Sequence, residues 1–340
     1  MKNSIVSIAF VALSSLVFGQ NTDSAKIYYQ KGIAEKEAKR FLVAGNYFDK
    51  AIHFDSKYAA AYQENGYANL AMSKPDIAIR NFSTLYELEP ANKAAIKELT
   101  DLYYSYHQYA KAIEFANKCI GCANAERVLA MSSYKKEDYA TAIKGLTNVI
   151  AKDATDAEAT YTIGRSYLDM EQYTKAVPFY TKAIELDATK NSWMNELGLL
   201  YYNLNDFQHS KTYFLKAAES GYALNNDFNE NLGYACIYSG EFEKGEKLLL
   251  DILAKKPGNK DILRDIAEAS YKQKLYDKCL DYCQQLLALD DKDGKALYQA
   301  GLCFIKKGAK EKGQNMCDAA IKMDPSLSGL RTKQDGGMGL

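Results

Sequence analysis

Small, bulky apolar and polar positions recur along the chain with helical spacing, in units that begin at Ala25, Ala59, Lys93, Ala123, Ala157, Asn191, Asn226, Lys260 and Gly294. Seven of the nine units close after 34 residues. The third is 30 residues long and the sixth 35, which predicts a trimmed turn near Cys119 to Cys122 and an extra loop residue near Tyr222 to Asn225. The eighth place is small throughout: Gly32, Gly66, Thr100, Ala130, Gly164, Gly198, Gly233, Ala267 and Gly301. So is the twentieth, with Ala44, Ala78, Ala112, Ala142, Ala176, Ser210, Gly245, Cys279 and Gly313. Two notched helices per unit can therefore approach closely. The space beside the notch falls to Phe48, Phe82, Leu146, Tyr180, Phe214 and Leu249 at the twenty-fourth place, and to Leu99, Leu129, Ile163, Leu197, Leu232 and Ile266 at the seventh. A Leu at Gly66, Gly164, Gly198 or Gly233 is expected to destabilise. An Ala is expected to be mild, because Ala130 and Ala267 already stand at that place.

Pro90, Pro257 and Pro325 share the thirty-second place, where a residue without an amide hydrogen ends the second helix, and Pro75 opens one. Small, aromatic and proline places in a 34-residue period resemble the tetratricopeptide repeat family, most closely in Tyr62, Gly66, Ala78, Phe82 and Pro90 of the second unit. The resemblance runs from Ala25 to Leu327. It implies an all-α, right-handed α-solenoid of about nine helical hairpins, each stabilised by stacking on its neighbours around an inner groove. Three departures stand out: the fourth-place aromatic survives only as Tyr28 and Tyr62, the third unit has Ala116 at the twenty-fourth place, and Pro178 falls inside a helix. A kink at Pro178 and looser packing in the third unit are expected.

Both ends depart from the repeat. Lys2, the apolar or small run Ile5 to Phe18, and Val17-Phe18-Gly19 read as a signal peptide over residues 1–19 removed after Gly19, the alternative being a buried first helix. Export to the periplasm or beyond is the expected localisation, with outer-membrane association through partners. No Cys follows the cut and no second apolar run is long enough to cross a bilayer, so no direct membrane insertion is expected after signal removal. Residues 328–340, with Gly336, Gly337 and Gly339, read as a flexible tail or as a short linear ligand for a partner.

Composition narrows the partners. Hydrophobic residues at 47% and charged residues at 25% fit a folded chain, not a disordered one. Lys plus Arg (43) balance Asp plus Glu (43), so there is no basic field to hold a phosphate backbone and no nucleic acid is expected. His53, His107 and His209 stand alone in separate units, and there is no phosphate loop or nucleophile elbow. No catalytic residue, metal or cofactor is assigned, and the chain is read as not an enzyme. Cys236, Cys279, Cys283, Cys303 and Cys317 fall at packing places. Cys119 and Cys122 close a second helix, whose C-terminal dipole disfavours a thiolate; they are read as a local disulfide or two inert thiols rather than a redox site.

In the family resembled, ligands lie on the concave face at the second, fifth, ninth, twelfth and thirteenth places of the first helices. Among those forty-five positions stand ten tyrosines: Tyr29, Tyr67, Tyr104, Tyr134, Tyr161, Tyr202, Tyr234, Tyr238, Tyr271 and Tyr298. Chain-wide usage, 27 in 340, would give between three and four. Arg127, Arg165 and Arg264 interleave with them. Tyrosine combines contact area with a hydroxyl and little rotamer entropy, so a groove that captures a protein or extended peptide is expected. Some rings, above all at the twelfth place, have the alternative of filling space between hairpins. A paired Lys and Asn clamp for a terminal carboxylate is absent from the first two units, which hold Tyr29, Ile33, Gln63 and Tyr67 there. The other functional reading is a structural subunit of an envelope machine, in contact through its convex face and ends.

Overall fold

The computed structural model describes residues 23–329, so residues 1–22, on which the signal-peptide reading falls, and residues 330–340, most of the expected tail, lie outside the described part. The chain divides after Leu186 into two units. The first holds five hairpins: α1 (23–37) with α2 (Phe41–Phe54), α3 (Ala59–Ala71) with α4 (Pro75–Leu88), α5 (Lys93–Ser105) with α6 (Tyr109–Lys118), α7 (Ala125–Lys135) with α8 (Tyr139–Lys152), and α9 (Ala157–Asp169) with α10 (Tyr173–Leu186). The second holds four: α11 (Asn191–Asn203) with α12 (Phe207–Glu219), α13 (Asn226–Tyr238) with α14 (Phe242–Lys255), α15 (Lys260–Lys272) with α16 (Tyr276–Leu289), and α17 (Gly294–Lys306) with α18 (Lys310–Met323), closed by a 3-10 turn at Pro325–Leu327. There is no strand among the described residues.

The periodic units set the helix starts. From the second unit on, seven of the eight first helices begin at the residue that opens the unit; only α7 starts two residues late. Five of these first helices carry an Asn or Asp N-cap whose side chain accepts from a backbone amide: Asn92, Asp156, Asn225, Asn259 and Asp293. Each such cap contributes on the order of 1 kcal/mol. The trimmed turn is where the third unit is short, since α6 stops after ten residues and Cys119 and Cys122 are joined by a disulfide before α7 begins. Pro178 is carried inside α10 without ending it: the helix runs 14 residues, as α8 does.

Within a hairpin, the size of the twenty-fourth residue matches the eighth. A Cβ built on Gly32 would lie 2.5 Å from the Phe48 ring, on Gly66 2.6 Å from Phe82, on Gly164 2.9 Å from Tyr180 and on Gly198 2.9 Å from Phe214. The expectation that Ala is mild there is therefore corrected. Ala130 is accommodated because Leu146 replaces the aromatic ring and Gly145 faces it, and Ala267 is paired with the small Cys283. The third unit follows the same exchange, with Thr100 opposite the register of Ala116, and both are buried. Ala116 thus marks volume moved from one helix to the other.

Every first helix ends in the same way. The fifteenth residue of each unit has φ between 55° and 96°: Lys39, Ser73, His107, Glu137, Glu171, Asn205, Gly240, Lys274 and Gly308. The next amide reaches back to the carbonyl five residues earlier, as from Arg40 to Glu35 or Asp138 to Ser133, which satisfies a helix-end carbonyl. Only two of the nine residues are glycine. For the others the left-handed conformation costs about 1 to 2 kcal/mol, less for Asn205. Glu137→Gly or Lys274→Gly is expected to raise stability by about 0.5 kcal/mol, the relief being partly offset by the freer unfolded chain. A denaturant midpoint that falls in both variants would show that the side chain, not the backbone, decides these turns.

Candidate functional site

The tyrosines singled out in the sequence occupy the first helices and are held by two sets of ring contacts. Four at the twelfth place lean across their own hairpin turn onto the ring that opens the second helix: Tyr104 on Tyr109, Tyr134 on Tyr139, Tyr202 on Phe207 and Tyr271 on Tyr276, with centroids 5.3 to 6.1 Å apart. The signal was an aromatic five residues further on. Those at the fifth and ninth places meet the bulky twenty-fourth residue instead, Tyr29 at 5.9 Å from Phe48, Tyr67 at 5.3 Å from Phe82 and Tyr161 at 5.3 Å from Tyr180. Tyr238 leans on Phe207 of the preceding hairpin at 4.9 Å, and Tyr234 lies 6.5 Å from Tyr238. Each ring is half-buried, with one face in a neighbour and part of the remainder exposed. Tyr298 is the exception and corrects its assignment to an open groove: at 5% exposure it is covered by the cluster of Leu302, Cys317 and Leu327.

Several hydroxyl and guanidinium groups bridge successive hairpins. Tyr134 donates to Asp169 at 2.9 Å and Tyr234 to Asp265 at 2.7 Å. Burial, then the neighbouring carboxylate, pushes both phenols well above their ordinary value, so they stay protonated donors. Burial likewise pushes Tyr202 up to about 12. Arg127 donates to Asp156 at 2.7 Å and to Glu158 at 2.6 Å, and Arg264 to Asp293 at 2.8 Å. Asp156 and Asp293 are the N-caps of α9 and α17, so each arginine ties one first helix to the start of the next. Although burial alone would raise it, the Asp156 carboxyl is held below its ordinary value by Arg127 and the Ala159 amide. Arg165 pairs within its helix, Nε to Asp169 at 3.1 Å. Half-buried rings fixed by neighbours have lost most of their rotamer freedom already, so a ligand that covers them loses little more.

The remaining candidate chemistry stays dispersed. Among the described residues no group of three or more His, Cys, Asp or Glu is placed to hold a metal ion, and no helix is long and apolar enough to cross a membrane. The free cysteines Cys236, Cys279, Cys283, Cys303 and Cys317 are buried, as their packing places imply.

The tetratricopeptide repeat family model matches residues 157–190, 194–220 and 294–327. These segments coincide with the fifth, sixth and ninth units, and the hairpin register extends through every other unit: the chain is a tetratricopeptide repeat protein. No curated protein matches it. Among solved structures it is similar to YrrB, described as a tetratricopeptide repeat protein with an unusual peptide-binding site, at 22% identity over 56% of this chain and 97% of that one, with a TM-score of 0.42. It is similar to MamA at 25% identity, over 46% of this chain and 93% of the other, with a TM-score of 0.43. A third similarity is to the C-terminal part of a repeat-containing protein from Cytophaga hutchinsonii, at 20% identity over 71% and 98%, with a TM-score of 0.48.

Proposed function

We propose that this chain is an exported, non-enzymatic interaction protein whose first-helix tyrosines capture a protein or extended peptide segment. The observation that carries the reading is the recurrence, in eight of the nine hairpins, of partly exposed tyrosine rings whose other face is fixed by a neighbouring ring or hydrogen bond. Rings of this kind offer contact area and a donor with little entropy left to lose. The disulfide between Cys119 and Cys122 supports export, because such bonds persist in oxidising compartments and are rare in reducing ones.

Titrating labelled extended peptides against the full chain by fluorescence anisotropy tests this. Tyr67→Ala and Tyr161→Ala should each weaken binding by on the order of 1 kcal/mol, about fivefold, while Lys182→Ala at an exposed position of α10 should not. Folded variants that bind with undiminished affinity would remove the groove from consideration.

The second reading, a structural subunit of an envelope machine, draws on the first hairpin. Ile27 is 55% and Leu42 60% exposed. Later units place Ala61, Ala95, Ala159 and Ile262 at the place of Ile27, and all are buried. A stoichiometric, salt-resistant complex lost in Ile27→Ser/Leu42→Ser but kept in the tyrosine variants would favour it.

A further inference from the structure

In the C-terminal half, α15, α16 and α17 line a cavity of about 560 Å³ with Tyr271 in its wall. That volume falls within the range of sites that hold a small ligand or a few side chains, roughly 300 to 1,000 Å³. Its walls are mostly apolar, with Leu286, Leu302 and Leu327 among them. Polar groups in the lining are mainly donors. Arg264 directs Nη2 to Asp293 at 2.8 Å and Nη1 to Asp261 at 3.5 Å, which fixes the guanidinium, yet its Nε is buried without a hydrogen-bond partner. Gln299 in the lining is engaged by the buried Cys279 thiol. A buried donor without an acceptor is destabilising by about 1 to 3 kcal/mol, and such a group in a native fold asks for an explanation. Lys272 and Lys295 add positive charge to the lining, against Glu268, which Lys272 engages at 2.7 Å.

Resting on the capture reading above, we propose that this cavity is the anchor of the captured segment. It seats one leucine- or phenylalanine-sized side chain, while a carboxylate of the same or the adjacent residue accepts from Arg264 Nε in the field of Lys272 and Lys295. The apolar walls select the side chain, and the donor-rich lining selects the negative charge. A neutral amide offers one carbonyl oxygen and no charge, so it satisfies the site only in part.

The test uses labelled octapeptide amides of Gly and Ser with a central Leu-Glu, Leu-Gln or Ala-Glu pair, titrated against the full chain. Leu-Glu should bind at least tenfold more tightly than either of the others. Lys295→Glu, at an exposed position, should abolish the preference for Glu over Gln and leave the preference for Leu over Ala. A peptide ending in Leu with a free carboxylate, compared with its amide, separates the two sources of the charge: preference for the free end assigns it to a chain terminus, and indifference assigns it to an acidic side chain. Equal binding of the three internal peptides, or a Glu-to-Gln ratio unmoved by Lys295→Glu, overturns the anchor. If in that case Tyr67→Ala still weakens all peptides, the capture reading stands without it. If no peptide binds the unaltered chain, both fall.

Discussion

Gly245→Ala is expected to destabilise the protein by on the order of 3 kcal/mol, although alanine is the better helix former by about 1 kcal/mol. The added Cβ would lie 2.3 Å from the Gly233 carbonyl oxygen and 2.9 Å from the Ile237 amide nitrogen, both backbone atoms of α13 that cannot turn aside. Gly313 meets the same obstacle in Gly301 and Ile305. The other hairpins with glycine at the eighth place carry Ala44, Ala78, Ala176 or Ser210 at the twentieth, so the difference needs a cause. It is the wedge. Phe48, Phe82, Tyr180 and Phe214 hold those helix pairs apart, whereas Leu249 and Cys317 let the backbones close until only glycine fits. Gly66→Ala should be milder, roughly 1 to 2 kcal/mol, because the obstacle is the Phe82 ring and a ring can shift. Combining Gly66→Ala with Phe82→Leu reproduces the Ala130 and Leu146 pair, so the two changes should couple favourably in a double-mutant cycle. A rise in the denaturant midpoint of Gly245→Ala would mean that propensity decides and that the close approach is soft.

Periodicity made the hairpins legible before any coordinates. Glycine and alanine places fixed the phase, the prolines fixed the ends of the second helices, and the two units of unequal length marked the disulfide turn and the loop before α13. What escaped was the exchange of volume between places that lie sixteen residues apart. Ala130 taken alone suggested tolerance, and its pairing with Leu146 and Gly145 explains it. The left-handed turns escaped as well, since Lys, Ser and Glu carry no local preference for that conformation; the hydrogen bond back to the first helix imposes it. In the candidate site, the register of the tyrosines was readable, but their second duty was not. Whether a ring is open depends on what the next helix places beside it. For Tyr298 the cover comes from Cys317 and from Leu327 in the closing turn, remote in sequence.

Truncating Tyr104, Tyr134, Tyr202 and Tyr271 together to Ala should lower stability heavily, which sharpens how the groove must be tested. Complete burial of an aromatic side chain makes its loss cost about 3 to 5 kcal/mol; these rings are half-buried, so about 1 to 2 kcal/mol each is expected. The four lie in separate hairpins and each rests on a different ring, so their effects should add to on the order of 6 kcal/mol. That is comparable with the whole stability of a small domain, and a loss of binding in the quadruple variant would say nothing about recognition. The corresponding Tyr→Phe variants keep the ring on Tyr109, Tyr139, Phe207 and Tyr276 and remove only the hydroxyl. Three of them should leave the helical circular-dichroism signal and the midpoint almost unchanged. Tyr134→Phe should fall by about 1 kcal/mol, because Asp169 Oδ2 loses its phenol donor while Arg165 still engages Oδ1. Binding lost in the Phe series with stability intact would assign the hydroxyls to the ligand. A quadruple Ala variant that melts with the unaltered chain would show instead that the rings rest on their neighbours without holding them, and the whole face would then be free for a partner.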